Sequence, residues 1–308
     1  MLTQITGLHH ITSFASDARD NNQFFTKILG LRRIKKTVNY DNPSVYHLYF
    51  GDRLGSPGSI MTYFPIPQKP RGTRGTGEVR SLSFAIPPDS LGAWHQHLRV
   101  HNIEITATDH LFGAPRMQVC APDGETITLI ERADNRQPWT GSDLPNEMAI
   151  RGLYSAVLQV ADAGPTGDLL RFMGYQEGDA EGSMQRFFIP QNSGANTLDV
   201  VENPSAPSAT QGAGSVHHIA FSVRTDAAQQ QVRHALSEAG HRVTGVKDRD
   251  YFKAIYFKTP AGILFEIATE GPGFDRDEDA DHLGEALKLP SKHAHLRHQL
   301  DNSLAPLE

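Results

Sequence analysis

Cysteine is nearly missing from this chain, with Cys120 the single example in 308 residues. That excludes an intramolecular disulfide framework and a cysteine metal cluster, and it suits a reducing cytoplasm. A strong charge is missing as well: the net value of -6 is mild and argues against nucleic acid as the main partner. No apolar run approaches the roughly 20 residues of a membrane span. Met1–Thr6 lacks a basic region followed by an apolar stretch, so neither a signal peptide nor a membrane partner is expected. What the chain has instead is ample glycine and proline, 27 and 19 residues. Its mixed composition suits one large or two medium domains with a sizeable core.

It also repeats itself. Leu8-His9-His10-Ile11-Thr12-Ser13-Phe14 returns as Val216-His217-His218-Ile219-Ala220-Phe221. The first copy continues with a helix over Ala18–Leu29, stopped by Gly30, then strands over Arg32–Val38, Val45–Phe50 and Ile60–Phe64. The same order recurs from Val79–Ile86 to Thr126–Ile130, and from Leu153–Val160 to Thr197–Val201. The fourth copy, Gly214–Glu270, runs from Val216–Val223 through a helix at Asp226–Ala239 to strands at Tyr251–Lys258 and Ile263–Ala268. Repetition of this kind decides the fold class: α+β, four βαβββ modules in two domains. The division expected along the chain is 1–140 for modules one and two (5–67 and 76–132), and 149–271 for modules three and four (151–203 and 214–271). Residues 272–308 form a tail, with an exposed acidic stretch at Asp275–Asp281 and helical spacing at Leu283, Ala286 and Leu287. Arg132–Met148 reads as a linker and Asn203–Gly214 as a flexible connection.

In the fourth copy, strand alternation puts His217, Ile219, Phe221 and Val223 on one mostly apolar face. His218, Ala220 and Ser222 fall on the other, as in a strand lining a cavity. A turn near Ala261 sets Tyr256 opposite Glu266, so His218, Tyr256 and Glu266 look into one space. Overlaying the copies supplies a missing ligand. The slot of His218 holds His10 in copy one, Ser81 in copy two and Ser155 in copy three; the slot of Glu266 holds Thr62, Thr128 and about Leu198. Three of the eight slots thus carry metal-binding side chains: His10, His218 and Glu266. With copies one and four edge to edge, these form the two-histidine, one-carboxylate triad that leaves positions open on ferrous iron and also admits manganese. Copies two and three make a metal-free half.

Blander readings compete. A strand histidine is more often structural than a ligand, but His-His-Ile at equivalent repeat positions reverses that balance. Glu266 sits in the otherwise apolar Ile263–Ala268, where a buried carboxylate needs a cation or a donor. Glu131 and Glu270 fall outside the slot and read as solvated, and Arg249 reads equally as a surface charge or a functional one. His95, His97 and His101, and likewise His293, His295 and His298, read as solvent-facing.

The modules and the triad resemble the vicinal-oxygen-chelate superfamily, which includes glyoxalase I and extradiol dioxygenases. The match is nearer still to its ring-cleaving hydroquinone dioxygenase branch, typified by 2,6-dichlorohydroquinone dioxygenase. Ile5–Thr12, Leu29–Arg32, Lys36–Asp41, Tyr46–Asp52, Gly55–Gly58, Gly214–Phe221 and Leu283–Pro290 carry the resemblance. It implies mixed sheets curled into half-barrel cups. It also implies His10, His218 and Glu266 as Fe(II) ligands, Tyr256 and Arg249 near the substrate, and His9, Thr12 and His217 as other polar groups around the site. The implied activity is Fe(II)-dependent ring cleavage of hydroquinone-type aromatics, substituted or halogenated ones included. The partners are then a small aromatic substrate and O2, and a homo-oligomer is compatible with it. Three alternatives share the cup. One is a glyoxalase-like isomerase, which often uses a second glutamate where Thr62 stands; the others are an extradiol catechol dioxygenase and a metal-free binding protein.

Overall fold

The structure is a computed structural model that describes residues 1–190 and 194–307. Module one is β1 (Ile5–Ala15), α1 (Ala18–Gln23), β2 (Arg32–Val38), β3 (Tyr46–Gly51) and β4 (Ile60–Pro65). Asp17 caps α1 by accepting from the Asp20 N–H. The expected single helix to Leu29 is not uniform: after one and a half turns it widens into a π-helical segment, Phe24–Ile28, where Phe24 and Phe25 are both buried. Module two is β5 (Glu78–Ile86), α2 (Leu91–Val100), β6 (Ile105–Leu111), β7 (Ala114–Cys120) and β8 (Thr126–Glu131). Module three is β9 (Gly152–Val160), α3 (Ala163–Phe172), β10 (Gln176–Glu181), β11 (Met184–Phe188) and β12 (Thr197–Glu202). Module four is β13 (Val216–Val223), α4 (Asp226–Glu238), β14 (Lys247–Asp248), β15 (Phe252–Lys258) and β16 (Leu264–Pro272). The two-residue β14 completes the βαβββ order and has no sequence signal of its own.

The modules build two curled, mixed, eight-stranded sheets. One runs β14-β15-β16-β13-β1-β4-β3-β2 and the other β10-β11-β12-β9-β5-β8-β7-β6. Sheet membership therefore joins module one to module four and module two to module three. Each joint is an antiparallel pairing of two first strands, with a pseudo-two-fold axis through it. In the first sheet, called outer because its modules are the first and last along the chain, the axis passes between Ile11 and Ile219, so His10 opposite Ala220 mirrors Thr12 opposite His218. On the inner sheet it passes between Leu82 and Ala156. The helices cover the sheets with Trp94 and Leu98 of α2, Leu169 and Leu170 of α3, and Val232 and Leu236 of α4, all buried. Among the described residues no helix is long and apolar enough to cross a membrane.

Two expectations about the connecting chain are corrected. Asn203–Gly214 is not loose: it bridges the segment between the first two modules at Arg71–Ala213, Thr73–Thr210 and Thr76–Ser208. Glycine permits the approach, since a Cβ on Gly75 would lie 2.0 Å from the Pro207 carbonyl oxygen. The tail is not helical over Leu283–Leu287; it runs along the edge of β2, where Leu287 bridges Lys36, and its helical turns lie at Phe274–Arg276, Ser291–Leu296 and Arg297–Ser303. The acidic stretch is mostly exposed, as expected, yet two of its carboxylates are engaged. Lys35 is fully buried and its ammonium lies 2.7 Å from Asp277, 2.5 Å from Glu278 and 2.9 Å from the Phe274 carbonyl. A buried cation demands such partners, and the tail brings them from across the chain.

Candidate metal centre

The site is built where β1 meets β13. Along β1 the register passes from Leu8 opposite Phe221 to His10 opposite Ala220, leaving His9 as an extra residue. Along β13 it passes from Thr12 opposite His218 to Ser13 opposite Val216, leaving His217 as the extra one. A bulge of this kind re-aims a side chain that alternation would send to the other face. His217 therefore does not share the helix-facing side with Ile219, Phe221 and Val223, as alternation predicts. It lines the cavity, its ring edge-on to Phe14 at 5.0 Å and to Phe64 at 5.8 Å. His9 is buried against His10 and Phe252. Within each pair the two Nδ1 atoms are in hydrogen-bonding contact, 2.9 Å for His9 and His10 and 2.7 Å for His217 and His218. Burial, followed by the neighbouring imidazole, pushes His9 and His217 down to about 3.

The other ring nitrogens converge. His10 Nε2 and His218 Nε2 are 3.2 Å apart, and Glu266 Oε2 lies 2.8 Å from the second and 3.6 Å from the first. The ligand atoms of the three residues all fall within 4.8 Å of one another, and the side chains are buried. Glu266 reaches this point because β16 runs parallel to β13, with Glu266 beside Ala220, and antiparallel to β15, with Glu266 opposite Tyr256. Apart from the two imidazole nitrogens, no partner among the described residues makes a well-aligned hydrogen bond to its carboxylate oxygens. Burial alone would raise its pKa, but His10 and His218 hold it well below the usual carboxylate range. A buried carboxylate needs a cation or donor, and here only the imidazole pair stands beside it. Two imidazole nitrogens and such a carboxylate fit a divalent transition metal.

The triad opens into a cavity of about 300 Å³. Tyr256 stands edge-on to His218 with ring centres 5.9 Å apart. Arg249, which sequence left between surface and site, is in the cavity wall. It donates from Nε to the Tyr256 hydroxyl at 3.2 Å and its guanidinium lies 5.2 Å from the Tyr40 ring. Burial raises the Tyr256 pKa, so its phenol stays protonated. Thr12 is fully buried and its hydroxyl is engaged with Thr62 at 2.8 Å.

Sequence reasoning missed several wall residues: His47, Tyr49, Tyr40, Phe252, Phe14 and Phe64. Carrying the overlay of copies one strand further finds Tyr49, because Tyr49 opposes Thr62 as Tyr256 opposes Glu266. The overlay itself needs one correction. In copy three the carboxylate slot, beside Val157, holds Asp199 rather than Leu198, so four of the eight slots carry ligand-type side chains. Asp199 takes a bidentate pair from Arg186 at 2.8 and 2.9 Å, and Arg186 in turn lies 3.7 Å over the Phe112 ring. With Ser81 and Ser155 in the other histidine slots, the metal-binding group found among the described residues is that of His10, His218 and Glu266. Glu131 is half-buried and accepts from the Leu91 N–H, while Glu270 is exposed and accepts from Ser222. His97 and His293 are half-buried on backbone carbonyls rather than solvent-facing, at Ile28 and Tyr40. His95, His101, His295 and His298 are exposed.

A sequence-family model described as the Glyoxalase/Bleomycin resistance protein/Dioxygenase superfamily matches residues 7–129 and 155–267. The chain is 36% identical to "Putative ring-cleaving dioxygenase MhqO" of Bacillus subtilis (strain 168), over all of this chain and 98% of that one. It is 33% identical to "Chlorohydroquinone/hydroquinone 1,2-dioxygenase" of Sphingobium indicum, over 93% of this chain and 92% of that one. A crystal structure titled "putative dioxygenase from Bacillus subtilis" superposes with a TM-score of 0.95 at 35% identity, covering 99% of this chain and 98% of the other. Maize glyoxalase I shares the fold, with a TM-score of 0.63 at 15% identity over 86% of this chain and 92% of that one.

Proposed function

We propose, for a chain that belongs to the Glyoxalase/Bleomycin resistance protein/Dioxygenase superfamily, that His10, His218 and Glu266 hold Fe(II) and that the site opens the ring of hydroquinone-type substrates with O2. Substituted and halogenated rings fall within this class, and both atoms of O2 enter the product. The observation that carries the reading is Glu266. It is a buried carboxylate held low in pKa, with two imidazole nitrogens as its close partners, in the lining of an aromatic-walled cavity. The names of the two curated relatives support the same class of reaction. Thr62 in the slot that a second glutamate would take speaks against a glyoxalase-like isomerase.

When bound, ferrous iron supplies redox coupling between an electron-rich ring and O2, and it acidifies a ring hydroxyl; the same donor set admits manganese. The rest is the work of the chain. His10 and His218 present Nε2 as lone-pair donors when each keeps its proton on Nδ1 and donates it to the Nδ1 of His9 or His217. His9 and His217 then fix tautomer and ring angle, which their position on the two bulges makes symmetrical. Tyr256, a protonated phenol, donates to an oxygen that gains charge as the ring opens, and Arg249 holds that phenol while countering the charge. Thr12 buttresses Thr62 from below. Phe14, Phe64 and Phe252 pack against a flat ring and limit water.

Oxygen uptake by protein loaded with iron, manganese or zinc, with and without hydroquinones, tests the reading. Uptake with iron that is lost in His218→Ala supports it. Bound iron with no uptake on any hydroquinone removes the dioxygenase class.

A further inference from the structure

A second hydrogen-bonded arm reaches the cavity from the module-one side. The Tyr49 hydroxyl lies 2.9 Å from His47 Nδ1, His47 Nε2 lies 2.9 Å from Thr62 Oγ1, and Thr62 Oγ1 lies 2.8 Å from Thr12 Oγ1. The threonines are fully buried, and Tyr49 and His47 both line the cavity. Tyr49 and Tyr256 are pseudo-two-fold counterparts, each opposite the carboxylate slot of its own module. They face one cavity from the two sides of the β1–β13 joint.

Their partners differ in kind. Tyr256 is held by a guanidinium, a fixed donor, next to a fixed anion. Tyr49 is held by an imidazole backed by two hydroxyls, and each of these groups can donate or accept. The first arm suits a charged oxygen. The second suits a neutral hydroxyl, which both gives and takes a hydrogen bond.

The ring-cleaving reading above, on which this inference rests, places one ring oxygen at the triad. A hydroquinone then carries its second hydroxyl at the far end of the ring, inside a cavity where an unpaired polar group is costly. Of the remaining polar lining groups, Arg249, Tyr256 and Tyr40 belong to the cationic side, His217 is engaged with His218, Asn39 accepts from the Asp41 and Asn42 N–H groups, and Asp41 and Asn42 are exposed. We propose that Tyr49 binds the second hydroxyl of the substrate, with His47 as its positioning residue, and that this pair selects 1,4-dihydroxylated rings over 1,2-dihydroxylated ones.

The test is a set of anaerobic binding titrations of the metal-loaded protein with hydroquinone and with catechol, paired with steady-state oxygen uptake. Tyr49→Phe is expected to weaken hydroquinone binding about tenfold, the size of one neutral hydrogen bond. KM should rise in step, and catechol binding should stay unchanged. His47→Asn, which keeps a polar atom where Nδ1 faces Tyr49, is expected to retain most of the hydroquinone affinity, and His47→Leu to lose it as Tyr49→Phe does. Equal losses on both ligands would give Tyr49 a merely structural role and overturn the proposal, as would unchanged hydroquinone affinity in Tyr49→Phe. If wild-type protein binds both ligands but consumes no oxygen, the ring-cleaving reading fails while the affinity ratio still decides the role of Tyr49.

Discussion

Asp199 stands in the inner sheet where Glu266 stands in the outer one. Each is paired on one side with the second residue after a histidine slot, Val157 or Ala220, and on the other with a cup-wall residue, Arg186 or Tyr256. The two carboxylates meet opposite fates. Arg186 neutralises Asp199 through two hydrogen bonds, whereas Glu266 meets only the two imidazoles, whose nitrogens a metal would occupy. One cup is closed by an internal ion pair and the other is left with a charge that a cation would complete.

Glu266→Gln should therefore separate affinity from stability. Metal affinity is expected to fall by about two orders of magnitude or more, since even outer-shell partners are worth 10–100-fold. The metal-free protein is expected to lose about 1 kcal/mol, because an anion that His10 and His218 favour in the folded state is removed. Chelator competition and urea denaturation of the metal-free protein measure the two effects.

The inner cup should behave the other way. Arg186→Leu strands Asp199, which is fully buried, and is expected to cost about 3–5 kcal/mol. Metal content should not change. Arg186→Leu combined with Asp199→Leu should recover much of the loss in urea denaturation, because both halves of the pair are then apolar.

Tyr256→Phe should leave metal content intact and lower kcat about a hundredfold, the usual size for one lost donor to a developing charge. Steady-state oxygen uptake alongside metal analysis checks it. A rise in KM alone would assign Tyr256 to ground-state binding.

Glu125 carries a pH dependence remote from the triad. It is buried at the junction of the sheets, where Ser13 donates to it at 2.7 Å and Tyr63 donates to its other oxygen. Burial raises its pKa above the usual 4.5 despite those two donors. A carboxyl whose folded-state pKa exceeds its unfolded one contributes stability that is full below the unfolded value and lost as pH rises through the folded value. Relative to the non-ionising Glu125→Gln, the wild type should lose stability as pH rises through the raised value. Urea midpoints of the two proteins from roughly pH 4 to 8 should diverge in favour of Glu125→Gln as pH rises. Parallel curves would contradict this.

How much of this was legible in the sequence depended on the range of the interaction responsible. The facing of Tyr256 and Glu266 follows from a short hairpin turn, and the convergence of His10, His218 and Glu266 from a phrase repeated at both ends of the chain. Both are local patterns or copies of one. His217 was put on the wrong face because two bulges, invisible to simple alternation, shift the register at the joint. Asp199 lies one residue beyond the position that the count from the turn glycine gives, and a one-residue slip reverses the face. The tail escaped because Lys35 finds its counterions more than two hundred residues away, at Asp277 and Glu278. Tyr49 and His47 carry no signal in the ligand slots themselves, because they stand on the strand beside the one that holds Thr62.

The central claim is that a strand from each end of the chain lends an imidazole to one iron, and that this iron with O2 opens a hydroquinone ring. Its most direct test is the ratio of O2 to hydroquinone consumed by iron-loaded protein, set against His10→Ala. The account predicts equimolar consumption with loss of the aromatic absorbance, abolished in the variant together with its iron. Consumption that persists in an iron-free His10→Ala protein, or iron bound by the wild type with no consumption, would contradict it.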